Sequence, residues 1–183
     1  MSALRITAAV SLLVLAACAT RPTEPAAATA VDTNTRAEMV ETIRAAGVAT
    51  ADELDVQPLR EGAVEDLRER AAALQAQGQH EQAAAVLDEA IARHGDDPAV
   101  LQERAEAAVY IGDFDAAQRF TREAIDAGAQ VGPLCRRHWS LIEQVALARA
   151  AAALATEQAA FQAEADTARQ AREACTVAPP ARY

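Results

Sequence analysis

Three cysteines and three histidines are the residues of this 183-residue chain best suited to chemistry. Cys135-Arg136-Arg137-His138 places a thiol and an imidazole one turn apart, on one face of any helix that carries them. A structural metal site wants about four such ligands. Cys175 could add one, but nothing nominates a fourth, so no metal is expected. His94 precedes Gly95 near a helix end, where a cation is favoured. All 17 basic residues are arginine. The lack of lysine excludes Schiff-base, phosphate-loop lysine and lysine general-base chemistry. There is no nucleophile elbow, glycine-rich phosphate loop or metalloprotease helix. The acids recur at helical surface spacing rather than as a catalytic pair. These residues point away from an enzyme, and no cofactor is expected. A formal net charge of -10 argues against nucleic acid as a partner.

The elements that carry these residues must be helices. Fifty residues are alanine and only 3% are aromatic. Close-packed helices suit that composition, whereas sheets favour β-branched and aromatic residues.

The N-terminal residues carry a different chemistry. A short positive start, Met1 to Arg5, precedes a ten-residue apolar run, Ile6 to Leu15. That run is too short to span a bilayer, which needs about 20 residues, and it has the length of a secretory hydrophobic region. It ends in Leu15-Ala16-Ala17-Cys18, which resembles the lipobox of bacterial lipoproteins. The resemblance implies cleavage before Cys18 and lipidation of its sulfur. Ala19 in the next position, rather than aspartate, implies sorting to the outer membrane. Residues 1–17 are therefore expected to be a signal peptide and residues 18–35 a lipidated, disordered tether. Pro22 and Pro25 and a lack of apolar periodicity mark that tether.

Order is expected to begin near Thr35, where Thr35-Arg36-Ala37-Glu38 has the form of a capping box. Met39, Val40, Ile43 and Ala46 follow at helical spacing, and Gly47 is a stop signal. A second box, Thr50-Ala51-Asp52-Glu53, and an extended connector, Val56-Gln57-Pro58-Leu59, complete a lead-in region over 36–63.

From residue 64 the chain repeats itself at a shift of 34. Gly78-Gln79-His80-Glu81-Gln82-Ala83 lies over Gly112-Asp113-Phe114-Asp115-Ala116-Ala117, and Glu89-Ala90-Ile91 over Glu123-Ala124-Ile125. Spacing and pattern resemble the tetratricopeptide repeat, a helix-turn-helix unit. In that comparison Leu67, Leu101 and Cys135 take the large first-helix position, and Ala71, Ala105 and Trp139 the small one. Gly78 and Gly112 make the turn between helices, followed by His80 and Phe114 at an aromatic position. Ala83 and Ala117 sit where two helices cross. Leu87 and Thr121 fill the next core position, and Ala90 and Ala124 the last. Two units are expected over 64–131.

The segment 132–178 fits a third unit loosely. Trp139 at a small-residue position implies different packing. Ala146 replaces the turn glycine, and no breaker interrupts Leu134 to Val177. Either a short helix over 133–146 precedes a long one, or a hairpin turns near Ala155-Thr156 with Thr156 as cap. Phe161, Ala165, Ala168, Arg172 and Cys175 would line one face of the last helix. A hairpin would set Cys135 opposite Cys175 and allow a disulfide; otherwise both are buried free thiols. Residues 179–183 form a tail.

The expected fold is all-α: a short tetratricopeptide-like solenoid with N-terminal lead-in helices and a C-terminal capping pair. The family resemblance implies a concave face lined by first helices. Its outward positions here are Arg68 and Gln75, then Gln102, Glu106 and Tyr110, then Arg136, Ser140 and Gln144. The function so implied is a non-catalytic adaptor of the cell envelope. It would be anchored by lipid in the outer membrane, face the periplasm and bind an envelope protein through that groove. The alternative is a structural lipoprotein that self-associates, or packs on another lipoprotein, without a groove.

Overall fold

The computed structural model describes residues 31–49, 53 and 61–176. Among them lie seven helices and no strand: α1 (Thr33–Ala46), α2 (Gly62–Ala76), α3 (His80–Arg93), α4 (Pro98–Ile111), α5 (Phe114–Ala127), α6 (Pro133–Ala152) and α7 (Ala155–Ala174). The fold is all-α. None of these helices is long and apolar enough to cross a membrane. The lipobox, most of the tether, the second capping box apart from Glu53, the connector at Val56–Leu59 and the tail lie outside the described residues.

Three hairpins stack in chain order: α2 with α3, α4 with α5, α6 with α7. The 34-residue period is exact between α3 and α5, which begin at His80 and Phe114. Gly78 and Gly112 turn the chain with φ of 74° and 82°, where side-chain-bearing residues are strained. Ala71, Ala83, Ala105 and Ala117 are buried at the crossings, where small residues let helix backbones approach. Asp97 and Asp113 cap α4 and α5 by accepting backbone N–H groups, with Pro98 in the first helical turn of α4. Sequence reading passed over both caps.

The third hairpin has 20-residue helices against 14 or 15 in the others. It turns at Ala153-Leu154, two residues earlier than expected. Leu154 occupies the cap position and no side chain caps α7, so Thr156 does not serve there. Cys135 and Cys175 are joined in a disulfide, with their Cα atoms 5.8 Å apart. The first turn of α6 is thereby tied to the end of α7. Ala165, Ala168 and Cys175 are buried along the expected face of α7, with Phe161 and Arg172 half-buried. Trp139 is half-exposed in a shallow depression with Ile125 and Ile142.

The N-terminal helix has the largest consequence for function. It starts at Thr33, capped by Asp32, which accepts from the N–H groups of Asn34 and Thr35. Thr35 itself donates its hydroxyl to Asp32 at 2.7 Å, so the expected capping box does not form. The aspartate, three residues nearer the N-terminus, starts the helix earlier and takes its first orphan donors instead. α1 packs on α6 and α4, the first helices of the second and third hairpins. Met39, Val40 and Ile43 join Ala105, Val109, Leu141 and Val145 in one core. A second core lies between α2, α3 and α4 around Val64, Leu87 and Val100. Each fully buried aliphatic side chain stabilises by about 1.5–3 kcal/mol. Three of them make α1 an integral part of the stack.

Candidate binding cleft

Three arginines fix α1 against the repeats. Arg136, on the first turn of α6, donates to the backbone oxygens of Ala46 at 3.1 Å and Val48 at 3.0 Å. It also holds the Glu53 carboxylate with two bonds, at 2.5 and 2.8 Å. Those carbonyls lie at and just beyond the end of α1, where a cation satisfies both orphan acceptors and the helix dipole. Arg137 pairs with both oxygens of Glu106 at 2.6 and 2.7 Å. Arg44, from α1, reaches the same carboxylate at 2.9 Å and Gln75 of α2 at 2.7 Å. Gly47 permits this closeness, because a Cβ there would meet Arg137 Cβ at 3.0 Å.

Glu106 has no side-chain exposure. Burial alone would raise its pKa. The charge and hydrogen bonds of Arg137, with those of Arg44 and Gln102, hold it below the usual carboxylate range. Gln102 donates to Glu106 at 3.0 Å, and its oxygen is 2.7 Å from Nδ1 of His138. Burial, reinforced by Arg137, pushes the His138 pKa down to about 4. The imidazole is therefore neutral, and its Nδ1–H donates to Gln102. Its Nε2 is buried without a partner among the described residues.

A neutral buried histidine makes stability depend on pH. The folded pKa lies below the ordinary 6.5, so the unfolded chain takes up the proton first as pH falls. Stability is full above about pH 6.5 and is lost as pH falls toward 4. By pH 4.5 this group should have cost roughly 2–3 kcal/mol. Urea unfolding of wild type and His138→Gln at pH 7 and 4.5 checks this. The wild type should lose more than the variant, by about that amount.

These contacts correct the expected concave row. Gln102, Glu106 and Ser140 are fully buried, and Arg136 is nearly so. Gln102 and Glu106 turn into the seam with α6, and Arg136 is spent on the end of α1. Gln144 is half-buried. Arg68, Gln75 and Tyr110 face a cleft of about 540 Å³. It is bounded by α1, α2 and α4, with Arg137 of α6 behind. Glu41 stands on its α1 wall, Glu69 and Ala72 on its α2 wall, and Ala71 and Leu87 at its apolar lining. Arg68 pairs with Glu103 through two bonds and with Glu65 at 2.8 Å. Tyr110 stacks on His80 with ring centres 4.1 Å apart. The repeat's aromatic position thus supports the cleft from behind. Sequence reading missed Glu41, Arg44 and Arg137, because their place depends on where α1 lands.

Among the described residues no group of three His, Cys, Asp or Glu side chains could hold a metal. His94 caps α3 and is more than half exposed beside Asp96.

Residues 64–107 match the family model of the tetratricopeptide repeat. No curated protein and no solved structure matches the chain. The matched residues run from the start of α2 into α4, and so supply two of the three helices that bound the cleft. The chain therefore contains a tetratricopeptide-repeat segment, a module whose general work is protein–protein interaction and typically not catalysis.

Proposed function

We propose that the protein is a membrane-anchored, non-catalytic adaptor of the bacterial cell envelope, and that it holds a protein partner in the cleft between α1, α2 and α4. The observation that carries this reading is the cleft itself. α1 covers the rest of the concave side, and this part stays open, with Tyr110, Gln75 and three ordered arginines around it. Their ion pairs fix side-chain positions in advance, which lowers the ordering cost of binding. Anchoring rests on Leu15-Ala16-Ala17-Cys18 and on Ala19, which favour a lipid on Cys18 and an outer-membrane address facing the periplasm. Two or more acyl chains anchor a protein stably where one binds marginally.

The lipid is tested by Cys18→Ser. Metabolic labelling with an alkynyl palmitate should mark the wild type and leave the variant unmarked. Wild type should sediment with membranes, and the variant should appear as an uncleaved precursor. Equal labelling of the two would end the lipoprotein reading.

The adaptor is tested by affinity capture from detergent-solubilised envelopes with wild type and Ala72→Trp. Ala72 is exposed on α2 and lines the cleft, so tryptophan there fills the space and removes no internal bond. Circular dichroism checks the fold. A partner lost from the folded variant supports the cleft. A partner held equally by both moves the function elsewhere. The outer face of α7 would then be favoured, with Ala159, Ala160 and Ala163 exposed along it. That is the packing expected of a structural lipoprotein.

A further inference from the structure

We propose that the cleft selects a cationic side chain, an arginine in an extended segment of the partner. The inference rests on the adaptor reading of this cleft and names the chemistry it recognises. Five carboxylates belong to the cleft and its rear wall: Glu41, Glu65, Glu69, Glu103 and the buried Glu106. Three guanidiniums face them, Arg44, Arg68 and Arg137. Each guanidinium is already committed. Arg68 forks onto Glu103 and touches Glu65, while Arg44 and Arg137 share Glu106.

Two carboxylates make no close ion pair among the described residues, one on each side of the opening. Glu41 on α1 lies 3.9 Å from Arg44, with a side chain 73% exposed. Glu69 on α2 is exposed and makes no ion pair among the described residues. The field at the mouth is therefore negative, even though arginines line the interior.

Three ligand chemistries can be compared. An anionic group would have to detach an arginine from its carboxylate, leaving that carboxylate unpaired in a partly buried site. A large apolar group would find mainly alanine methyls and one leucine, among charged neighbours. A guanidinium meets the unpaired Glu69 on one wall and, on the other, Glu41, whose only ion pair among the described residues is the long, exposed one to Arg44, and it disrupts no close pair. Its aliphatic stem can lie over Ala72 and against the Tyr110 ring while its head stays at the rim. Arginine suits the site better than lysine, because its planar fork can bond two carboxylates in different directions.

The test is fluorescence anisotropy with the folded, lipid-free chain at low salt, where charge contacts are strongest. The probe is a fluorescein-labelled Ala-Ala-Arg-Ala-Arg-Ala-Ala peptide. Its neutral twin carries citrulline in place of arginine. The arginine peptide should bind at least about tenfold more tightly than the twin. Glu41→Gln/Glu69→Gln should weaken it by about tenfold. A control double variant, Asp126→Asn/Glu173→Gln, changes net charge equally at exposed sites outside the cleft and should leave binding within about twofold. Equal affinity for the two peptides overturns the proposal, as does failure of both to bind. Equal weakening by the control variant also overturns it, since attraction would then follow net charge alone. None of these results alters partner capture by wild type against Ala72→Trp, so the adaptor reading stands or falls separately.

Discussion

Glu106→Ala is expected to destabilise the protein by about 3–5 kcal/mol, the usual cost of removing one partner from a buried ion pair. The carboxylate is fully buried and receives bonds from Arg137, Arg44 and Gln102. Without it, two guanidiniums face each other with no counter-charge. Arg44 can swing outward, since its side chain is 36% exposed, but Arg137 is held at 23%. The loss should also loosen α1, since Arg44 is the link between α1 and this carboxylate. Chemical unfolding measures the cost, and hydrogen exchange along residues 33–46 locates it. A double variant, Glu106→Leu/Arg137→Met, separates pairing from packing. Replacing a buried pair with apolar groups of similar size is often neutral. The double variant should therefore recover most of the lost stability while narrowing the charge pattern of the cleft. The pH dependence has the same origin. The folded pKa of Glu106 lies below its unfolded value, so its contribution is full above the unfolded value. It is lost as pH falls through the folded one.

Removing the disulfide is expected to have a similar effect by another route. Cys135 and Cys175 are 40 residues apart. Closing a loop of that length in the unfolded chain is worth about 4 kcal/mol in the chain-entropy estimate. Cys135→Ala/Cys175→Ala should lower stability by about that much, measured by urea unfolding under non-reducing conditions. The folded state should survive near neutral pH, because other contacts hold α7. Arg172 pairs with Glu143 at 3.0 Å, Glu164 accepts from Gln118 and Arg122, and Ala165 and Ala168 are buried. Both cysteines are almost fully buried. Reductant should therefore act on the native protein no faster than the third hairpin opens. Fraying should start where Gly132 donates to the backbone oxygen of Cys175 at 2.8 Å.

The repeat was legible because its causes are local. Gly78 and Gly112 need positive φ, Ala83 and Ala117 need to be small, and both needs recur 34 residues apart. The third hairpin was legible only as one of two options. Its helices have no breaker before Ala153, and the choice falls to packing of α7 along α6. Some local signals were present and unused: the aspartates at 32, 97 and 113 each precede a helix whose N–H groups they accept.

The concave row was misread for a different reason. Polar residues at outward positions of a first helix ordinarily mean solvent. Gln102 and Glu106 are instead satisfied by His138 and Arg137, 36 and 31 residues away, and Glu106 by Arg44 at 62. No spacing rule reaches those partners. The landing place of α1 is likewise set by shape and by three apolar side chains, Met39, Val40 and Ile43, whose periodicity predicts a buried face but not its partner.

The cleft as a partner-binding surface is tested most directly by photo-crosslinking in envelopes of the native organism. A benzoylphenylalanine at position 72 looks into the cleft, and one at position 163 looks out from α7. The adaptor reading predicts a discrete protein adduct from position 72 and none from position 163. An adduct from position 163 alone would contradict it and assign the contact to the outer face of the last helix.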